Sequence, residues 1–315
     1  MLERDRHLAP LVTNLSCVKV FRFFAVAAAI FAFCLTILGS WVRINGAGMT
    51  CPDWPLCNGH LLPRLDGGVI YEWSHRLVAL ILGFVLCGTL VSALRLRQRI
   101  PGLTTVLRLL GVVFLLQVAL GGLTVQLGNR PDSVVYHWAT AMAFLATVTV
   151  LALLALFQPS QPLRWTFSVR LLSLAAFTAM AAMCAGAYVS SSGAGLACPT
   201  IPGCSSTSFW GGDGVQTLQG VQMLHRALAG LFFVTASWAL FVTLKQGGRG
   251  RWVALLGFAL LLLQIALGSA NVLAQLPIGL REAHAANAAA TFMVFVIAAF
   301  LEALALATPN EGQYE

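Results

Sequence analysis

Charge is scarce in this chain. Only 10% of its 315 residues are Asp, Glu, Lys or Arg, 58% are hydrophobic, and the mean hydropathy is +0.83. So little charge excludes a water-facing globule. The polar–apolar alternation of a membrane barrel strand is also missing, and an open sheet would leave unpaired edges in lipid. What the chain does have is eight apolar runs near the roughly 20 residues needed to cross a bilayer as a helix. They fall at about 21–40, 74–94, 104–125, 135–157, 168–189, 222–244, 252–273 and 284–306. The fold expected is an all-α integral membrane protein with eight transmembrane helices.

The basic residues are unevenly placed. With the N-terminus in the cytoplasm, the inner side collects Arg4, Arg6, Lys19, Arg22, Arg95, Arg97, Arg99, Arg108, Arg164, Arg170, Lys245, Arg249 and Arg251, which is 13 of the 19 Lys and Arg. The positive-inside rule then predicts both termini in the cytoplasm of a multi-pass plasma-membrane protein. The net charge of +8 is this loop bias and gives no reason to invoke nucleic acid. No cleavable signal is expected, because polar or mixed residues lead into a first helix that reads as an anchor.

The chain repeats itself. A shift of 147 lays Gly46–Cys51 on Gly193–Cys198, Cys57 on Cys204, Gln117–Gly121 on Gln264–Gly268, and His137 on His284. Ser74-His75-Arg76 and Leu224-His225-Arg226 match at 150, which implies a short insertion in the second loop. The division expected is two pseudo-symmetric four-helix bundles, 1–157 and 168–315, joined by a cytoplasmic linker, 158–167.

The longest polar segments, about 41–73 and 190–221, then face outward and carry Cys51, Cys57, Cys198 and Cys204. In an oxidising compartment a local bridge is expected in each loop, although four cysteines allow three pairings and the sequence does not choose among them. The bridges can be staples, or the first can cycle between thiol and disulfide. Cys17, Cys34, Cys87 and Cys184 sit in or beside helices and read as small hydrophobes.

Histidine is scarce too, six in all. His7 belongs to the tail and His60 to a loop. His75, His137, His225 and His284 fall near the outer starts of even-numbered helices, where an ionisable group is costly and tends to be functional. Pairs of imidazoles on facing helices suit the two axial positions of a haem better than a tetrahedral metal. The halves differ at one point: Glu72-Trp-Ser-His75-Arg76 against Gln222-Met-Leu-His225-Arg226. A carboxylate can take a proton or stabilise a cation and an amide cannot. The N-terminal half therefore reads as the reacting site and the C-terminal half as a fixed cofactor site. Glu72 can also be read as an interfacial cap, and Arg76 and Arg226 either as partners of haem propionates or as snorkelling side chains.

Glu-x-x-His-Arg, the histidine after Tyr136, the cysteine pairs and the duplication together resemble the haem A synthase (CtaA/Cox15) family, from about residue 20 to 305. The second cysteine pair is similar to that of the bacterial version. The resemblance implies oxidation of the C8 methyl of haem O to a formyl group by two O2-dependent hydroxylations through a geminal diol, for cytochrome oxidase. It implies a resident haem b on His225 and His284, a substrate site at His75 and His137, Glu72 as a carboxylate required for turnover, and a disulfide at Cys51 and Cys57. The partners implied are haem O and O2 as substrates, a haem O synthase, and an electron donor the sequence does not name. The oligomeric state is open between monomer and homo-oligomer. Two other classes fit the same histidines: a di-haem b-type electron carrier linked to quinol or thiols, and a haem exporter or chaperone. The carrier does not obviously need Glu72 in one half only.

Overall fold

The computed structural model describes the backbone of residues 2–204 and 214–304, with side chains from residue 16 onward in those stretches. The side chains of Arg4, Arg6 and His7, residues 205–213 of the second loop and the expected end of the last helix at 306 lie outside the described residues. The elements are α1 (Leu2–Ile44), α2 (Val69–Leu94), α3 (Leu103–Gln126), α4 (Pro131–Phe157), α5 (Phe167–Ser191), α6 (Gly214–Gln246), α7 (Arg251–Leu273) and α8 (Ile278–Ala303). All eight are long and apolar enough to span a membrane, α1 through its portion Ser16–Ile44. Among the described residues there is no strand, only an isolated bridge between Cys57 and His60.

The even helices start earlier than hydropathy predicts, α2 at Val69, α4 at Pro131, α6 at Gly214 and α8 at Ile278. Hydropathy senses the hydrocarbon layer, but a helix keeps its backbone bonds as it runs on into the polar interface. Pro131, the first residue of α4, suits a position where no intrahelical N–H is needed. His75, His137 and His284 each become the seventh residue of their helix. His225 is a correction. It is the twelfth residue of α6, deeper in its helix than the first turn or two, because that helix already begins at Gly214.

Each odd helix packs on the even helix that follows it, α1 on α2, α3 on α4, α5 on α6 and α7 on α8. The first and last helices of each half also pack, α1 on α4 and α5 on α8. The halves join through α1 with α8 and α4 with α5, one contact the pseudo-symmetric counterpart of the other, and through α4 with α8. α1, α4, α5 and α8 thus form the centre. Small residues let these backbones approach: Ala25, Ala28 and Ala32 on α1, Ala175 and Ala179 on α5, and Ala289 and Ala298 on α8 are all buried. Phe21, Leu145, Val148, Leu151, Leu172 and Phe295 fill the space between. The outer surface is apolar as well, with Phe84, Val112, Leu115, Phe233 and Trp252 exposed as lipid requires.

One departure from symmetry shapes the site. The backbones of α6 and α7 approach more closely than those of their counterparts α2 and α3. α2 and α3 still meet through side chains, a Cβ at Gly83 standing 3.8 Å from Phe114.

Candidate functional site

The two outer loops are held by the same device. Cys51 is bridged to Cys57 and Cys198 to Cys204, each seven-residue segment closing with Cα atoms 4.5 and 4.8 Å apart. Folding the chain back so tightly turns several carbonyls inward, and one arginine satisfies them. Arg76 donates to the carbonyls of Cys51 (2.7 Å), Asp53 (2.6 Å) and Leu56. Arg226 donates to those of Cys198 (2.8 Å), Thr200 (2.7 Å), Pro202 (2.9 Å) and Gly203 (2.7 Å). One turn before each arginine, the residue that distinguishes the halves receives the backbone N–H of the first cysteine. Glu72 Oε2 accepts from Cys51 at 2.8 Å and from the Thr50 hydroxyl at 3.0 Å. Gln222 Oε1 accepts from Cys198 at 2.6 Å, while its amide nitrogen donates to Gly195 O at 2.9 Å.

Both arginines therefore face loop carbonyls, and Glu72 is 4% exposed with its other oxygen 2.6 Å from Arg76. Glu72 does not cap its own helix, since the N-cap position of α2 is Gly68 with no side-chain bond. In the first loop Asp53 adds a second staple, its carboxylate accepting the backbone N–H groups of Asn58 (2.6 Å) and Gly59 (2.8 Å). The Gly59 N–H in particular, then that of Asn58 and the nearby Arg76, holds the Asp53 carboxyl below the usual carboxylate range. The loop is tied to its own half by Asn129, which donates to Gly48 O at 2.8 Å, and by Trp73, which donates to Leu61 O at 2.9 Å.

The four histidines lie below these loops, and each is seated on a glycine of the helix before it. A Cβ at Gly39 would stand 2.9 Å from Cε1 of His75, at Gly121 3.1 Å from His137, and at Gly186 and Gly268 3.0 Å from His225 and His284. Only a residue without a side chain lets the imidazole lie flush on the neighbouring backbone. The structure brings the histidines together in pairs. His225 and His284 have ring centroids 6.5 Å apart, and His75 lies within electrostatic range of His137.

Around the rings the halves differ again. His225 Nδ1 is 2.9 Å from Ala182 O, and a carbonyl can only accept, so that nitrogen carries the proton and Nε2 keeps its lone pair. His284 Nε2 is 3.2 Å from the Gln264 amide nitrogen, and Gln264 Oε1 in turn accepts from Asn287 at 2.8 Å. The equivalent Gln117 turns to Thr140 at 2.5 Å instead. The Nδ1 atoms of His75, His137 and His284 are buried without a hydrogen-bond partner. Paired buried imidazoles with centroids 6.5 Å apart, Nε2 being the nitrogen farther from the glycine seat, fit axial ligation of a haem. Among the described residues no three His, Cys, Asp or Glu side chains gather as a metal site.

Sequence reasoning missed the glycine seats. Gly39 and Gly186, like Gly121 and Gly268, are related by the shift of 147, and that relation was the available signal.

The profile of the family described as cytochrome oxidase assembly protein, COX15-CtaA, matches residues 22–69 and 67–296. A protein named heme A synthase from Bacillus licheniformis is 30% identical over 286 residues, covering 85% of this chain and 91% of its own length. One of the same name from Bacillus pumilus is 30% identical over 288 residues, covering 84% and 89%. A third, from Bacillus mycoides, is 26% identical over 265 residues, covering 79% and 83%.

Proposed function

The chain belongs to the COX15-CtaA family of cytochrome oxidase assembly proteins, and on that premise we propose that it makes haem A by oxidising the C8 methyl of haem O. Each hydroxylation takes one O2, two electrons and two protons, inserts one oxygen into a C–H bond and releases water. Two of them give a geminal diol, and loss of a further water leaves the formyl group. The electrons come from an external donor.

The observation that supports this reading is an asymmetry between the two duplicated histidine sites, from which we infer that one stays filled and the other exchanges. In the C-terminal half α6 lies closer to α7 than α2 does to α3, and His225 Nδ1 is bonded to Ala182 O. In the N-terminal half neither His75 nor His137 has a partner at Nδ1. We assign haem O to His75 and His137 within 1–157, and a resident haem b to His225 and His284 within 168–315, with 158–167 as the linker. The resident group, when bound, supplies one-electron transfer. The chain's own residues hold the iron ligands in place through the glycine seats and roof both sites with the bridged loops. Glu72 is an acid where the other half has the amide of Gln222 on the first cysteine's N–H. We assign it the handling of charge or protons during oxidation of the methyl group, acting from the roof of the substrate site. Arg76 and Arg226 position the roofs, and a propionate role for them would require release from the loop carbonyls. The basic-residue bias supports cytoplasmic termini and extracytoplasmic sites.

The test is to supply haem O to cells expressing the chain and identify the extracted pigments by mass. Haem A, or its hydroxylated precursor, is expected. Haem B alone would overturn the reading in favour of an electron carrier.

A further inference from the structure

Where α1 meets α8, toward the outer ends of both helices, stands a polar cluster that the repeat does not duplicate. Arg43 and Ser40 lie on α1, and Arg281 and Glu282 on α8. A shift of 147 puts Ser190 and Ala187 opposite Arg43 and Ser40, and Val134 and Val135 opposite Arg281 and Glu282, so the symmetric seam is nearly uncharged. Arg281 and Glu282 are within electrostatic reach of Arg43. Arg43 Nη1, both Glu282 carboxylate oxygens and Ser40 Oγ are buried without hydrogen-bond partners, and no ion pair forms between Arg43 and Glu282. Ser40 Oγ lies near the Glu282 carboxylate but makes no bond of normal geometry with it.

The helix geometry says where Arg43 looks. It lies one turn outward of Gly39, the seat of His75, and is rotated from it by about 40°. Ser40, on the α8 side, is rotated from Gly39 by about 100°. Arg43 thus emerges between the His75 direction and the Glu282 direction, on the outer side of the substrate histidines. Two guanidinium groups and one carboxylate leave at least one positive charge uncompensated beside the buried Arg43 Nη1, which is costly unless an anion completes the set. Arg76 and Arg226 are already occupied by loop carbonyls. Among the buried side chains described, Arg43 is the one arginine with an unbonded N–H-bearing atom.

We infer that Arg43 binds a carboxylate on the edge of the porphyrin held by His75 and His137, a propionate, and so fixes which edge of the ring points outward and which methyl lies inward. This rests on the reading of the N-terminal half as the exchangeable haem site. The planar guanidinium suits a carboxylate, and Glu282 and Ser40 stand on its α8 side without binding it.

The test uses the full-length protein in detergent free of anionic lipid, titrated with haem B and with haem B dimethyl ester, read from the Soret band. The wild type should bind the ester at least roughly tenfold more weakly. Arg43→Gln should bind haem B that much more weakly and no longer distinguish it from the ester, with Arg43→Lys in between. An unchanged ester penalty in Arg43→Gln overturns the inference, as does an effect of the variant seen only after phosphatidylglycerol is added, which would assign Arg43 to a lipid headgroup. If Arg43→Gln does not accumulate, equal wild-type affinity for haem B and its ester is enough to overturn it. An unaltered ester penalty in the variant while haem O is still converted sinks this inference alone. No conversion with the penalty and its loss both seen sinks the functional reading alone.

Discussion

A glycine at the point where two helices cross decides how each imidazole sits. At Gly186 a methyl group would stand 3.0 Å from His225 Cε1, so the ring must shift and stretch its 2.9 Å bond to Ala182 O. Gly186→Ala should therefore cost about 1–3 kcal/mol as overpacking and lower the b-type absorbance per mole of protein. Gly230→Ala on the next helix, where a Cβ meets nothing, is the control and should leave the absorbance unchanged. Glu72 presents the opposite case, a residue whose replacement is already present in the other half. Gln222 shows that an amide can accept the cysteine N–H. Glu72→Gln should then keep the first loop in place and the resident haem bound, while conversion of haem O stops, with a build-up of the singly hydroxylated product as the mass signature. A variant that makes haem A at the normal rate would show that the difference between Glu72 and Gln222 is not catalytic.

At the scale of elements, the loops and the helices depend on different forces and should fail separately. The second bridge closes only seven residues, so the chain-entropy argument gives it about 2 kcal/mol. The Cys198→Ser, Cys204→Ser double variant should lower thermal stability modestly and still convert haem O; a complete loss of conversion would make that bridge more than a staple. The first loop carries an additional acid dependence. Asp53 titrates below its ordinary value of 3.8, so its contribution is fully present above that pH and lost as pH falls through the lower folded value. Reduction of Cys51–Cys57 by a phosphine should accelerate in that acid window in the wild type, and Asp53→Asn should show the faster rate with no such dependence. The helices were legible in the sequence because lipid admits only long apolar spans, and Cys51, Cys57, Cys198 and Cys204 because the repeat aligned them. The starts of α2, α4, α6 and α8 were not legible, since their first turns are too polar to register as apolar runs. Nor were the bonds of Arg76 and Arg226, which depend on how a bridged loop folds its carbonyls back over the helix. The glycine seats were hidden because a glycine in an apolar run has no meaning until the facing helix is known.

For the molecule as a whole, duplication produced two sites with the same ligand pattern, and the packing separates them. We propose slow release on the side where α6 lies close to α7 and His225 is bonded to Ala182 O, and entry from the bilayer between α2 and α3 on the other. A porphyrin with a long apolar tail reaches its enzyme through lipid, so an opening toward the membrane is where such a substrate would arrive. The protein isolated and washed in detergent should accordingly keep close to one haem per chain, and that haem should be the C-terminal one. Replacing His75 and His137 together by Ala should leave the retained bis-histidine spectrum intact and abolish conversion. Replacing His225 and His284 should remove that spectrum while the chain still inserts, because one imidazole per apolar helix contributes little to span hydrophobicity. Loss of the retained spectrum in the first variant, or its survival in the second, would reverse the assignment of the two sites and place the substrate in the C-terminal half.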